Sequence, residues 1–309
     1  MTTLRINQKT NQLLQPQINI SQKTQAVLAI LGSAFFFALM NALARQAGDL
    51  PVAQKCFFRN IVSVPLAALV LWRERPALTT SIHNMPGLLL RAILGTIGMT
   101  ANFYAVDHML LADATILSRL SPFATLLLSW LFLKEGLSRL QAGSVVVAFL
   151  GALCIIRPGA EALTSAPALI GLLGGIATGA AYTTVRWLTQ RGVSQAVVVF
   201  SYSLISCIFM LPQLILNYCP MTNQQMFFLL AAGLAATGAQ FCLTSGYAKA
   251  PSREISAYEY TTVIFAALLG FAMFGQIPDL LSWLGYTIII GVAVLMFLYN
   301  KKQQEKNNA

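Results

Sequence analysis

The chain has 309 residues, of which 57% are hydrophobic and only 10% charged. A soluble domain carries about 25% charged residues, so the composition excludes an ordinary water-soluble protein. The net charge of +10 invites a nucleic-acid role, but the basic residues are spread among loops and tails between apolar blocks, which argues against one.

Residues 1–24 are polar and rich in Gln and Asn. They lack the apolar core and cleavage site of a signal peptide, so they read as a disordered cytoplasmic tail before an uncleaved first span. Ten apolar blocks follow, near 25–45, 53–72, 86–106, 111–133, 140–157, 167–187, 195–216, 226–248, 253–274 and 280–299. Blocks of about 20 residues can cross a hydrocarbon layer of about 30 Å. Lipid offers the backbone no hydrogen-bond partner, so each must be helical. Residues 301–309 read as a second cytoplasmic tail.

With a cytoplasmic N-terminus, 14 of the 20 Lys and Arg fall in cytoplasmic tails and loops, among them Lys134, Arg139, Arg186, Arg191, Lys249 and Arg253. The opposite loops hold Asp49, Asp107, Asp113, Glu161 and Asp279. This is the positive-inside bias, and it predicts a multi-pass cell-membrane protein with both termini inside. The five cysteines, Cys56, Cys154, Cys207, Cys219 and Cys242, have no paired spacing, so neither a disulfide framework nor a zinc site is expected.

The stretch 111–135 aligns without a gap on 252–276, 141 positions later. Thr115, Ser118, Pro122, Thr125 and Ser129 fall on Ser256, Glu259, Val263, Ala266 and Gly270. Both sets step by 3 and 4, so each marks one small or polar helix face. Five spans per half is odd, so the halves must lie opposite ways up. The charges agree: the acidic loop around Asp107 and Asp113 corresponds to the basic loop around Lys249 and Arg253. The expected fold is therefore all-α, with ten transmembrane helices in two inverted five-helix repeats, 25–160 and 165–300.

The segment LADATILSRLSPFATLLLSWLFLKEGLSRLQAGSVVVAFLGALCIIRPG (111–159) resembles the first-repeat signature of EamA-type transporters in the drug/metabolite transporter superfamily. YEYTTVIFAALLGFAMFGQIPDLLSWLGYTIIIGVAVL (258–295) resembles the second. The resemblance implies a central cavity lined mainly by spans 1, 3, 4, 6, 8 and 9. The Pro and Glu common to both repeats of the family occur here once, as Pro122 and Glu135. The second copy has Val263 and Gln276.

Ionisable groups deep in a membrane are costly and are candidates for function. Arg119 and Glu259 lie well inside spans 4 and 9, and along the membrane normal they are on the order of 9 Å apart. They are expected to meet, or to share a substrate, where the repeated helices cross. Glu259 is the natural proton carrier if transport is proton-driven. Pro122 deprives the Ser118 carbonyl of its helix partner and predicts a kink, whereas Val263 predicts a straighter span 9. Asn41, Asn102, Tyr104, Tyr182, Gln240, Tyr258 and Tyr260 are the polar or aromatic cavity candidates. Gly95, Gly98, Asn102 and Ala105 in span 3, and Gly171, Gly174, Thr178 and Tyr182 in span 6, form small faces suited to close packing. Arg59 resembles a basic position of the family near the start of span 2 and is a candidate for substrate attraction or gating. Lys55 and Arg59, an i, i+4 pair near the outer end of span 2, and Arg91, near the inner end of span 3, are all of the kind that snorkels to headgroups.

His83 and His108 form no HExxH motif, no pair of aspartates lies within spans, and an intramembrane enzyme is disfavoured. A channel would favour a ring of like charge or a re-entrant filter. The expectation is an alternating-access carrier of small organic metabolites or drugs, needing no cofactor or metal, as monomer or homodimer. Its solute would be amino-acid-like or amphipathic, moved outward by family resemblance and with protons as one choice of coupling ion. Uptake of a nucleoside-like or vitamin-like metabolite, and a non-transporting sensor or scaffold, stand as alternatives.

Overall fold

A computed structural model describes residues 20–76, 78–108, 117–118, 120–156, 166–275 and 280–308. Among these residues the secondary structure is helical throughout. The helices are α1 (Ile20–Gln46), α2 (Val52–Ile61), α3 (Ser63–Glu74), α4 (Leu78–His83), α5 (Met85–His108), α6 (Ser121–Leu133) and α7 (Arg139–Ile156). The second half has α8 (Ala166–Gln190), α9 (Gln195–Leu216), α10 (Asn223–Lys249), α11 (Ser252–Ile255), a 3₁₀ segment (Ser256–Tyr260), α12 (Thr261–Phe274) and α13 (Leu280–Asn308).

Among the described residues, seven helical stretches are long and apolar enough to cross a membrane: Gln22–Gln46, Val52–Glu74, Met85–Ala105, Ala166–Gln190, Gln195–Leu216, Asn223–Lys249 and Ser252–Met273. Ser121–Leu133, Arg139–Gly151 and Trp283–Met296 are shorter apolar helices. Among the described residues, the first helix already includes Ile20 and the last includes Asn308. The apolar runs near 25 and 299 thus mark where hydrophobicity ends, while the polar residues beyond them extend the same helices.

Large apolar side chains face outward, as at Leu131, Phe132, Ile215 and Leu216, while Thr125, Ser129, Ser203 and Ser206 are buried. That arrangement suits a lipid surround, where apolar surface costs nothing and hydroxyls need partners inside. Several hydroxyls find them: Thr96 Oγ1 and Ser206 Oγ are 2.5 Å apart, and Ser63 Oγ and Thr237 Oγ1 are 2.7 Å apart, whereas Ser203 Oγ is buried without one.

Packing repeats between the halves. α1 lies along α10 as α5 lies along α8, and α12 packs on α1 as α6 packs on α8. α9 contacts α2 and α5, α10 contacts α2 and α3, and α7 pairs with α13. Exchanging the two halves leaves this set of partners unchanged, which is what a two-repeat chain with an internal two-fold relation requires. The small faces of α5 and α8 meet. A Cβ at Gly98 would overlap Thr178 Oγ1 and come 3.0 Å from the Gly174 carbonyl, so glycine sets the closeness of this helix pair.

The repeated helices break at matching places. In the first copy Leu120 N–H bonds the Leu117 carbonyl at 3.2 Å, a tight i−3 turn, and α6 starts at Ser121. Pro122 therefore lies in a first turn, where its missing N–H costs nothing. The expected mid-span kink is instead a helix start. In the second copy the expectation of a straighter span at Val263 is overturned, because Ser256–Tyr260 winds as 3₁₀. Hydroxyls do there what proline does in the first copy. Thr261 Oγ1 donates to the Tyr258 carbonyl at 2.6 Å and Thr262 Oγ1 to the Glu259 carbonyl at 2.7 Å. Such local bonds compete with the regular i−4 ladder.

Candidate functional site

The side on which α1 begins is here the near side, and the opposite one the far side. Lys23 Nζ lies 3.1 Å from Glu254 Oε2, fixing the starts of α1 and α11 together on the near side. The Gln54 amide bonds the Cys219 backbone in both directions, at 2.9 and 3.0 Å, joining α2 to the end of α9 on the far side.

A central cavity of about 130 Å³ lies between α1, α2, α5, α8, α9, α10 and the start of the sixth helix. Water occupies about 30 Å³ per molecule in the liquid, so this is room for a few waters or a small solute. Asn41, Arg59, Asn102, Ser118, Tyr182 and Gln240 line it, together with Arg91, Met99, Ser121, Thr178 and Tyr202. Asn41 is exposed, whereas Arg91, Tyr202 and Gln240 are buried, so the accessible rim lies towards the far side.

The other candidates stand elsewhere. Tyr104 stacks on His108, ring centroids 4.0 Å apart, away from the cavity wall. Tyr258 and Tyr260 belong to the main apolar core, and Tyr260 meets Phe123 edge-on at 6.5 Å. Pro122 is buried beside the lining residue Ser121. Glu259 is buried and accepts a hydrogen bond from the Tyr247 hydroxyl. The Tyr247 ring lies 5.7 Å from that of Tyr182, so two tyrosines separate Glu259 from the cavity. Arg119 lies outside the described residues, and with it the proposed meeting with Glu259.

Arg91 overturns the snorkelling expectation. It is 2% exposed. Its Nη2 donates to Gln240 Oε1 at 3.1 Å, and its guanidinium lies 4.2 Å from the centre of the Tyr202 ring. The reason is Gly95, one turn along α5: a Cβ there would overlap Arg91 Nη1 and stand 2.8 Å from the Tyr202 ring. The glycine lets the long side chain lie inward along the helix. A charged residue one turn before a glycine face was the available signal. Met99 and Tyr202 carried none.

On the near side the ends of four elements are tied at Glu135. Its Oε1 lies 2.9 Å from Arg186 Nε, and its Oε2 accepts from the Ser252 backbone N–H at 3.1 Å. Arg186 Nη1 also donates to the Tyr247 carbonyl at 2.9 Å. Ser129 Oγ and Ser252 Oγ are 2.8 Å apart. This latch joins the ends of α6, α8 and α10 to the start of α11, so the seam hydroxyl Ser129 does face the other half.

A bundle of lipid-facing helices around a small polar chamber, with packing that repeats between halves, defines a membrane transporter. The model of the EamA-like transporter family matches residues 24–157 and 165–298, and the chain belongs to that family, within the drug/metabolite transporter superfamily. The pseudopaline exporter CntI of Pseudomonas aeruginosa is 32% identical over 282 residues, covering 91% of this chain and 98% of that protein. A riboflavin transporter of Rhizobium johnstonii is 26% identical over 72% of each. A solved crystal structure superposes with a TM-score of 0.78 at 14% identity, covering 89% of this chain and 98% of that one, a likeness of fold.

Proposed function

We propose that the protein is an alternating-access exporter of a small organic solute. The observation that carries this is the pairing of a central polar cavity, accessible towards the far side, with the Glu135 latch on the near side. A site closed on one face and reachable from the other is one of the two states that alternating access needs. In this reading ten spans form two inverted repeats, 25–160 and 165–300, with short tails 1–24 and 301–309. Both termini lie in the cytoplasm of a cell whose inner or plasma membrane holds the protein. The near side is then cytoplasmic, as its Lys134, Arg139, Lys249 and Arg253 require.

Opening inward means breaking the latch and swinging α6 and the 3₁₀–α12 segment, whose matched breaks supply two hinges. No covalent step is involved. Lipid is the solvent of the fold, and Glu259, linked to the cavity through Tyr247 and Tyr182, is the proposed proton carrier. Counterflow in liposomes tests the reading. Purified protein should concentrate a labelled solute against an excess of the same unlabelled solute inside. A protein that binds a solute yet gives no counterflow is a sensor or scaffold.

A further inference from the structure

The cavity holds two deeply buried cations. Arg59 is 7% exposed and Arg91 2%, both line the cavity, and no acidic residue is among the described residues that do so. Arg91 Nε and Nη1 and Arg59 Nε are buried without a hydrogen-bond partner. An unpaired guanidinium away from water is expensive.

The donors also converge on one atom. Arg59 Nη1, Asn60 Nδ2 at 3.7 Å and the Tyr202 hydroxyl at 3.7 Å all point at Met99 Sδ. A thioether is a weak acceptor, yet three strong donors from two helices, α2 and α9, share it. Methionine is also the most adaptable of core side chains. Met99 thus occupies the spot where a stronger acceptor belongs, on a side chain that can leave it.

From this convergence we infer that the cavity is a receptor for the acidic group of an organic anion, a carboxylate or phosphate, which displaces the Met99 thioether and takes the donors of Arg59, Asn60 and Tyr202 while Arg91 supplies the second charge. Arg91 is pre-oriented for this by Gln240 and the Tyr202 ring. Guanidinium groups suit such anions because their planar donors can bond two oxygens at once. The inference rests on the reading of the cavity as the transport site. Of the solute classes expected from the sequence, it favours amino acids and other acids and disfavours amphipathic amines.

Binding is measured apart from transport. Full-length protein in an uncharged detergent is titrated with glutarate, glycerol 3-phosphate, glutaramide and 1,5-diaminopentane, with thermal shift and the ¹³C-methyl resonance of Met99 as readouts. Glutarate, glycerol 3-phosphate or both should stabilise the protein and move the Met99 signal; the diamide and diamine should do neither. Which acid acts separates carboxylate from phosphate. Arg59→Gln and Arg91→Gln should each weaken the anion at least tenfold. Should either fail to fold, Met99→Leu decides: it removes the competing sulfur at similar volume and should tighten anion binding. Stabilisation by the diamine or diamide, no response to either anion, or anion binding unchanged in the arginine variants and Met99→Leu would overturn the inference. Anion binding at this site without counterflow leaves it standing and rejects the carrier reading.

Discussion

Glu135 and Arg186 lie 2.9 Å apart, Oε1 to Nε, with each side chain only 10% exposed; beside the Gln190 amide, their further bonds run to backbone groups of two other helices. Glu135 also holds the Ser252 N–H, and Arg186 the Tyr247 carbonyl. Removing one partner of a buried pair leaves the other charge uncompensated, at a cost on the order of 3 kcal/mol. Glu135→Gln and Arg186→Gln should each lower thermal stability in detergent. The double variant should lose less than the sum, with a coupling of about 1 kcal/mol or more. Additive losses would mean that the two residues act separately and that no latch exists.

The Tyr247 hydroxyl reaches Glu259 inside a core that also holds Tyr258 and Tyr260. Tyr247→Phe removes a buried donor from the carboxyl group and should cost about 1–3 kcal/mol, read as a fall in melting temperature. Glu259→Gln keeps shape and an acceptor for the tyrosine, so it should stay folded while mimicking the protonated acid. If Glu259 carries the coupling proton, this variant should still exchange solute for solute but should no longer respond to a pH gradient. Gradient-driven transport that survives in Glu259→Gln would remove the proton role.

Thr261 and Thr262 each donate to a carbonyl three residues back, and these bonds hold the 3₁₀ segment that ends at Tyr260. Thr261→Val and Thr262→Val preserve shape and remove the hydroxyls. Together they should cost about 1–3 kcal/mol, at about 0.5–1.5 kcal/mol per bond. Transport should slow more than binding weakens, since the hinge and not the cavity is altered. A double variant that matches the parent in both melting temperature and turnover would deny the segment that role.

These threonines also mark how far the sequence could be read. The repeat, the apolar blocks and the small faces of α5 and α8 were legible because helical periodicity is a local property. Asn41, Asn102, Tyr182 and Gln240 could be named for the cavity because polar groups inside spans are rare and must face inward, and Arg59 was a candidate only through its resemblance to a basic position of the family. The break before α12 was not legible. The absence of proline suggested a straight helix, and a hydroxyl's choice of carbonyl depends on the rotamer that packing allows. Arg91 was misread because its distance from the span end suits a headgroup contact as well as the cavity. Only the packing of α9 against α5, which brings Tyr202 beside Gly95, decides between them. The Met99 convergence draws donors from α2 and α9, helices whose relative placement no local pattern encodes.

That dependence on close helix approach gives a last expectation, at Gly98. A methyl group there meets Thr178 Oγ1 and also stands 3.0 Å from the Gly174 carbonyl and 3.1 Å from the Thr178 nitrogen; these two backbone atoms cannot move without shifting α8. Overpacking of this kind costs about 1–3 kcal/mol. Gly143, in α7, has nothing within 4 Å of the same methyl position, and a glycine-to-alanine change in an open helix position gains about 0.5–1 kcal/mol. Gly98→Ala should therefore melt well below the parent and Gly143→Ala slightly above it. The two differ in function as well. Asn102 and Thr178 line the cavity on either side of the Gly98 contact, so a wedge at Gly98 should also raise the half-saturating solute concentration, while Gly143→Ala leaves it unchanged. Equal melting temperatures for the two variants would show that α5 and α8 can separate freely, and would remove the glycine contact as a determinant of the cavity's width.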